Sequence, residues 1–272
     1  MTRPLYSTDV TDTAWQDLAP HLPSPKLGGR PRVHPVREIL HAIFYGLRSG
    51  GAGRLLPHDF PPGRTVYHYV RLWRVQGLWA TLHTWRRAAV RVQAGREPQP
   101  SAAMLDSPSV KTTTVRGPRG YDGGKKGNGR KRHLLVDTQG LLLRAGVHPA
   151  DIADRDGARL GLASSQDCCP PVRQVWVDRG SRGEVIEWMT TQLGWTVEVV
   201  KRPSKWGRSP IDVEPSPLPA FPILPRRWVV ERPFAWWVAY RRLAKDDEEL
   251  PATSEAFLYL AMARLMVRRL AH

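Results

Sequence analysis

Cysteine is nearly absent from this sequence of 272 residues: the two present, Cys168 and Cys169, are adjacent. Adjacent cysteines provide neither a disulfide framework nor a metal-ligand spacing, which fits a reducing compartment. Long apolar runs are missing too. No stretch approaches the roughly 18 residues a membrane helix needs, and the opening MTRPLYSTDV has no apolar signal core. A cytoplasmic protein with no membrane partner is expected. Acidic residues are in short supply, 25 Asp+Glu against 41 Lys+Arg, a net charge of +16. Missing as well is a nucleotide phosphate loop, because the basic run Lys125–His133 lacks a Gly-Lys-Ser/Thr ending.

The hydrophobic fraction of 41% is that of a globular chain, large enough for one big domain or two modest ones. The basic excess is spread along the chain: +8 in residues 1–100, +7 in 101–210 and +1 in 211–272. A basic tail would concentrate it at one end. Such a distribution suits a folded surface that follows the phosphates of a nucleic acid over a long path.

Residues 1–98 read as a helical domain. Thr11 or Asp12 caps a short helix ending near Leu18, Pro35 suits a first helical turn, and Ile39, Leu40, Ile43, Phe44 and Leu47 recur at helical spacing before Gly50 and Gly51. Thr65 is the expected cap of a segment containing Val66, Tyr69, Val70 and Trp73, and a further helix runs through Leu82, Trp85 and Ala89. Arg64, Arg71, Arg74, Arg86 and Arg87 beside Tyr67, Tyr69 and Trp73 suit a helix-turn-helix-like DNA reader; a merely solvated basic bundle has the same pattern.

From about residue 101 to 272 the period changes to that of a mixed α/β domain. Ala103–Asp106 and Val175–Asp178 are short apolar strands, each ending in a carboxylate. Two further strands flank a hairpin turn at Thr138-Gln139-Gly140, and Asp151, Asp154 and Asp156 suit a helix N-terminus. Residues 203–225 hold seven of the 25 prolines, a stiff loop, and a helix capped at Thr253 or Ser254 closes the chain. Asp106 and Asp178, with Glu231 on a helix, offer hard oxygen ligands for divalent cations. A carboxylate at a strand end also serves as a turn former, and Glu231 also has an i,i+4 partner in Arg227. The glycine-bearing cations Lys125, Lys126, Arg130, Lys131 and Arg132 read as a loop contacting DNA backbone; a solvated hairpin connection has the same pattern.

Asp106-Ser107, Ser109–Thr113, Gly120–Lys126, Gly129–His133, His148–Asp151, Asp154–Ala158, Val177–Gly180 and Arg226–Arg232 together resemble the core of bacterial insertion-sequence DDE transposases, most of all insertion-sequence family 5. Leu55–Pro62 and Leu250–Ala256 extend the resemblance over nearly the whole chain. It implies an RNase H-like catalytic core behind an N-terminal DNA-binding domain. It makes Asp106, Asp178 and Glu231 the catalytic, metal-binding carboxylates, holding Mg²⁺ with Mn²⁺ as a substitute. The implied partners are double-stranded DNA, both the element's terminal inverted repeats and target DNA, and a second copy in a homodimer on DNA; the implied location is the bacterial cytoplasm, at the nucleoid. Of the family's Tyr, Arg, Glu and Lys helix signature, which falls on Leu224, Arg227, Glu231 and Val238, the arginine and glutamate match. Arg241 or Arg242 is the expected substitute for the lysine. Pro233 stands where relatives have a helix-compatible Thr, and Gly53 where they place Trp, so Glu231 is expected by a kink or in a first turn. An inactive, DNA-binding repressor and a nuclease without strand transfer are the alternative readings.

Overall fold

A computed structural model describes residues 3–24, 28, 31–114, 116–163, 171–178, 183–200 and 227–271, without the side chains of residues 227, 228, 230 and 231. Cys168, Cys169 and the proline-rich stretch 203–225 lie outside the described residues.

The N-terminal region is helical: α1 (Asp12–Leu18), α2 (Val36–Ser49), α3 (Gly63–Val75) and α4 (Leu78–Gln93). Thr11 caps α1, its side chain accepting the Ala14 N–H at 3.3 Å. Gly50 ends α2 with φ of 72°, a conformation that favours glycine. Helix α3 starts at Gly63, earlier than a Thr65 cap requires. A Cβ on Gly63 would lie 2.1 Å from the Gly53 carbonyl oxygen, so the start is set by a close backbone approach, not by a hydroxyl cap.

The sheet follows: β1 (Ala102–Asp106), β2 (Ser109–Lys111), β3 (Gly120–Asp122), β4 (Gly127–Asp137), β5 (Leu142–Pro149), β6 (Gln174–Asp178) and β7 (Thr196–Val200). Helices α5 (Asp154–Leu162) and α6 (Glu184–Leu193) cross between strands, and α7 (Arg227–Val238), α8 (Arg241–Ala244) and α9 (Pro251–Leu270) end the chain. The main ladder runs β5-β4-β1-β6-β7, with β4 antiparallel to both neighbours and β1, β6 and β7 mutually parallel; β2 and β3 add to the far end of β4. This mixed order is RNase H-like. The β4–β5 hairpin turns where expected: Asp137 Oδ1 accepts the Gln139 and Leu141 N–H groups at 2.8 Å, and Gly140 has φ of 80°.

Alternation along the strands divides the core into two layers. Met104, Leu134, Val136 and Trp176 face the N-terminal helices and α9, while Ala103, Leu105, Leu135, Val175 and Val177 face α5 and α6. The first layer is continuous from Ile39, Phe44 and Trp73 to Leu258 and Met262, so the helical region and the sheet share one core. Burying each such large apolar side chain stabilises by roughly 1.5–3 kcal/mol. Helix α9 begins at Pro251, with Thr253 and Ser254 inside its first turn instead of capping it. Pro251 supplies the preset φ of a first helical residue, and Ser254 Oγ instead donates to Asp246 Oδ2 at 2.7 Å.

Pro233 sits inside α7, which continues to Val238. Proline has no N–H for the Val229 carbonyl four residues back. That carbonyl oxygen lies against Gly140, 3.1 Å from where a Cβ would stand. The hairpin turn therefore needs glycine for two reasons, its positive φ and this approach.

Candidate active site

Strands β1 and β6 pair in parallel with Leu105 opposite Val177. One residue further, Asp106 and Asp178 follow at the C-terminal ends of these neighbouring strands. Period-two alternation puts both on the face of Met104 and Trp176. Asp106 is half-buried and Asp178 exposed. Asp106 Oδ1 accepts the Ser107 N–H at 2.8 Å, which orients the carboxylate. Glu198, opposite Trp176 on β7, accepts that indole N–H at 2.8 Å and lies two residues below the level of Asp178. It braces the strand pair.

Glu231 lies in α7, which packs on β1 and β4. The Val229 carbonyl and the Arg232 side chain adjoin Gly140, at the end of the sheet opposite Asp106. The structure thus brings Asp106 and Asp178 together and starts the Glu231 helix at the far end of β1; the Glu231 side chain itself lies outside the description, as does that of Arg227. Among the described residues no group of three or more His, Cys, Asp or Glu converges as a metal cage. The two hard carboxylates at the strand ends fit Mg²⁺ in charge and donor type.

Lys125 approaches this corner. Its ammonium donates to the Ser107 carbonyl at 3.3 Å, next to Asp106. A turn holds it there: Asp122 Oδ1 accepts the N–H groups of Gly124 and Lys125 at 2.9 and 3.0 Å, and Ser109 Oγ donates to Asp122 Oδ2. The Ser109 hydroxyl, followed by these backbone N–H groups, holds the Asp122 carboxyl below its ordinary range. Lys126 is exposed with φ of 50°. No periodicity in the sequence signals that Asp122 organises the turn; the Asp-Gly-Gly string is the local cue.

Several cations expected on DNA are committed elsewhere. The run 125–133 is not a free loop, because β4 begins at Gly127. Arg130 is buried and donates to the Pro118, Glu248 and Glu249 carbonyls and to Asp246 Oδ1. Arg132 is buried and donates to the Leu243 carbonyl at 2.9 Å. Lys131 Nζ bonds the Ile152 carbonyl and Asp154, both at 2.9 Å. Arg86 and Arg87 are buried as well, bonded to Asp17 and to the Leu142 carbonyl with Gln99. Arg130 and Arg87 find backbone or acid partners inside, whereas the partners of Arg86 and Lys131, Asp17 and Asp154, are themselves 59% and 43% exposed. Arg242 is taken by Glu248 and the Gly51 carbonyl, and Arg74 is half-buried. Arg64, Arg71, Lys125, Lys126 and Arg241 are exposed.

An RNase H-like sheet with paired aspartates at the ends of its parallel strands defines the class of DDE nucleic-acid-processing enzymes. Residues 97–266 match the family described as Transposase DDE domain, and residues 10–83 match the family described as a transposase of the IS4/5 family (DUF4096). The chain belongs to the DDE transposases of IS4/IS5-type insertion sequences. No curated protein and no solved structure matches it. Among the described residues no helix is long and apolar enough to cross a membrane.

Proposed function

We propose that this transposase binds the terminal inverted repeats of its insertion sequence as a homodimer on DNA and catalyses strand cleavage and strand transfer at a site formed by Asp106, Asp178 and Glu231. The observation that supports this most directly is that β1 and β6 pair in parallel with Leu105 opposite Val177, the residues just before Asp106 and Asp178. Asp106, Asp178 and Glu231 would hold Mg²⁺ or Mn²⁺, and the ion would supply Lewis-acid chemistry for phosphodiester cleavage there. The Ser107 N–H orients Asp106, and Lys125, beside Ser107, receives the scissile phosphate. In cleavage, water adds to phosphorus as the 3′-oxygen leaves, freeing a 3′-hydroxyl. In transfer, that hydroxyl forms a new phosphodiester while a target 3′-oxygen departs, so no protein side chain is covalently modified. Residues 1–98, together with Lys126 and Arg241, supply DNA contacts. The homodimer follows from the need to bring two element ends together. The expected place of action is the bacterial nucleoid.

The test is a labelled duplex bearing the element's own end, incubated with and without Mg²⁺ at fixed moderate salt. Metal-dependent release of a 3′-hydroxyl followed by joining supports the reading. Asp106→Asn and Glu231→Gln should each lower cleavage more than about 100-fold, since changes merely behind metal ligands already cost ~10–100-fold. Binding without cleavage by the parent protein would indicate a repressor, and cutting without joining a nuclease. Full cleavage by Glu231→Gln would remove that residue from the site.

A further inference from the structure

Helix α3 divides its residues with little overlap. Val66, Val70 and Trp73 face the core, while Arg64, Tyr67, His68, Arg71 and Val75 are exposed. At about 100° per residue, Arg64, His68, Arg71 and Val75 fall within roughly 60° of one another, opposite the buried face. Tyr67 flanks this stripe and is 63% exposed; Val75, at its end, is 69% exposed. Arg74 lies on the flank, off the stripe. Among the described residues Arg64 and Arg71 make no ion pair and no side-chain hydrogen bond, and α3 contains no acidic residue. The next helix, α4, is turned inward with Trp79, Leu82, His83, Arg86 and Arg87 buried, so it presents no comparable face.

We infer that α3 is the base-reading helix of this transposase, entering the major groove of duplex DNA with Arg64, His68, Arg71 and Val75 toward base edges and Tyr67 toward the backbone. The inference rests on the end-binding reading above and specifies which residues would set its sequence preference. The stripe is cationic without counter-charges, complementary to the groove, and a helix about 10–12 Å across fits a B-form major groove about 12 Å wide. A-form RNA, with its deep and narrow major groove, excludes it. Val75 at the end of the stripe and the largely exposed Tyr67 on its flank also suit this groove, whose base edges include the thymine methyl and whose phosphates accept a phenol hydrogen bond. Arg64 and Arg71 stand about 10.5 Å apart along the axis at 1.5 Å per residue, close to three base-pair steps. Each arginine matches the paired acceptors of a guanine, giving two preferred G·C positions about three base pairs apart, with His68 reading between them and Val75 beyond.

The experiment selects bound members from a randomised duplex library with the full-length protein and sequences them, for the parent and for Arg64→Ala, Arg71→Ala, His68→Ala and Lys126→Ala, with unchanged Tm as the check on folding. The parent should enrich a motif containing the two G·C positions. Arg64→Ala and Arg71→Ala should each relax one of them by roughly 10- to 100-fold. Lys126→Ala should weaken binding evenly across sequences and leave the motif intact. A parent motif retained unchanged by Arg64→Ala and Arg71→Ala would overturn the role of α3 while leaving end binding standing. Enrichment of no motif by the parent would overturn both.

Discussion

Helices α3 and α4 are consecutive, separated by Gln76 and Gly77, and each is rich in arginine, yet they use it in opposite ways. On α3, Arg64 and Arg71 point to solvent. On α4, Arg86, Arg87 and Arg91 are buried at 3%, 1% and 5% exposure, and Arg91 pairs with a fully buried Asp137 at 2.5 Å. Positive charge in a sequence is therefore two quantities: charge offered to a partner, and charge spent on holding the molecule together. The apolar phase of the helix separates them, because an arginine in step with the core residues must find its acceptors inside.

The largest expected effect comes from breaking the buried side. Arg91→Ala removes the cation paired with Asp137 Oδ2 and leaves that carboxylate the Gln139 and Leu141 N–H groups on Oδ1; it should cost about 3 kcal/mol of stability, read as a lower denaturation midpoint in urea. A change below about 1 kcal/mol would mean that the pair is solvated, and the contrast with α3 would collapse.

Acid should expose the same logic at His133. This residue is buried beside His148, ring centroids 4.8 Å apart, and burial first, then the neighbouring imidazole, holds its pKa down to about 3. The unfolded chain takes up its proton near the ordinary value of 6.5 while the folded chain refuses it. Stability should thus decline as pH falls from about 6.5 toward 3, and His133→Phe should flatten part of that decline in Tm against pH. An unaltered slope would assign the acid sensitivity to other groups.

The smallest effect on stability belongs to the exposed side. Arg71→Ala should shift stability by no more than ~0.5 kcal/mol while lowering affinity for the preferred duplex by roughly 10- to 100-fold, seen in anisotropy titrations at fixed salt. A large fall in Tm would place Arg71 with the buried group.

Much of the architecture is legible in the sequence because short-range patterns carry it: Thr11 as a cap, the helical recurrence from Ile39 to Leu47, the hairpin at Thr138–Gly140, and strands ending at Asp106 and Asp178. The ordered strings around these residues carry the family. What local pattern does not carry is the partner across the chain. Arg130 finds Asp246 from 116 residues away, and Arg132 finds the Leu243 carbonyl from 111. A basic string read alone gives no sign of such acceptors, so buried structural cations read as phosphate contacts. The same holds for Gly63, whose need for glycine arises from the Gly53 carbonyl.

The continuous apolar layer that runs from Trp73 of α3 through α9 to Met104 of β1 has a metrical consequence. With the proposed roles of α3 and Asp106, reader and blade would share this packed layer. The span between them would then act as a ruler, and the number of base pairs from recognised sequence to cut would be set by the core.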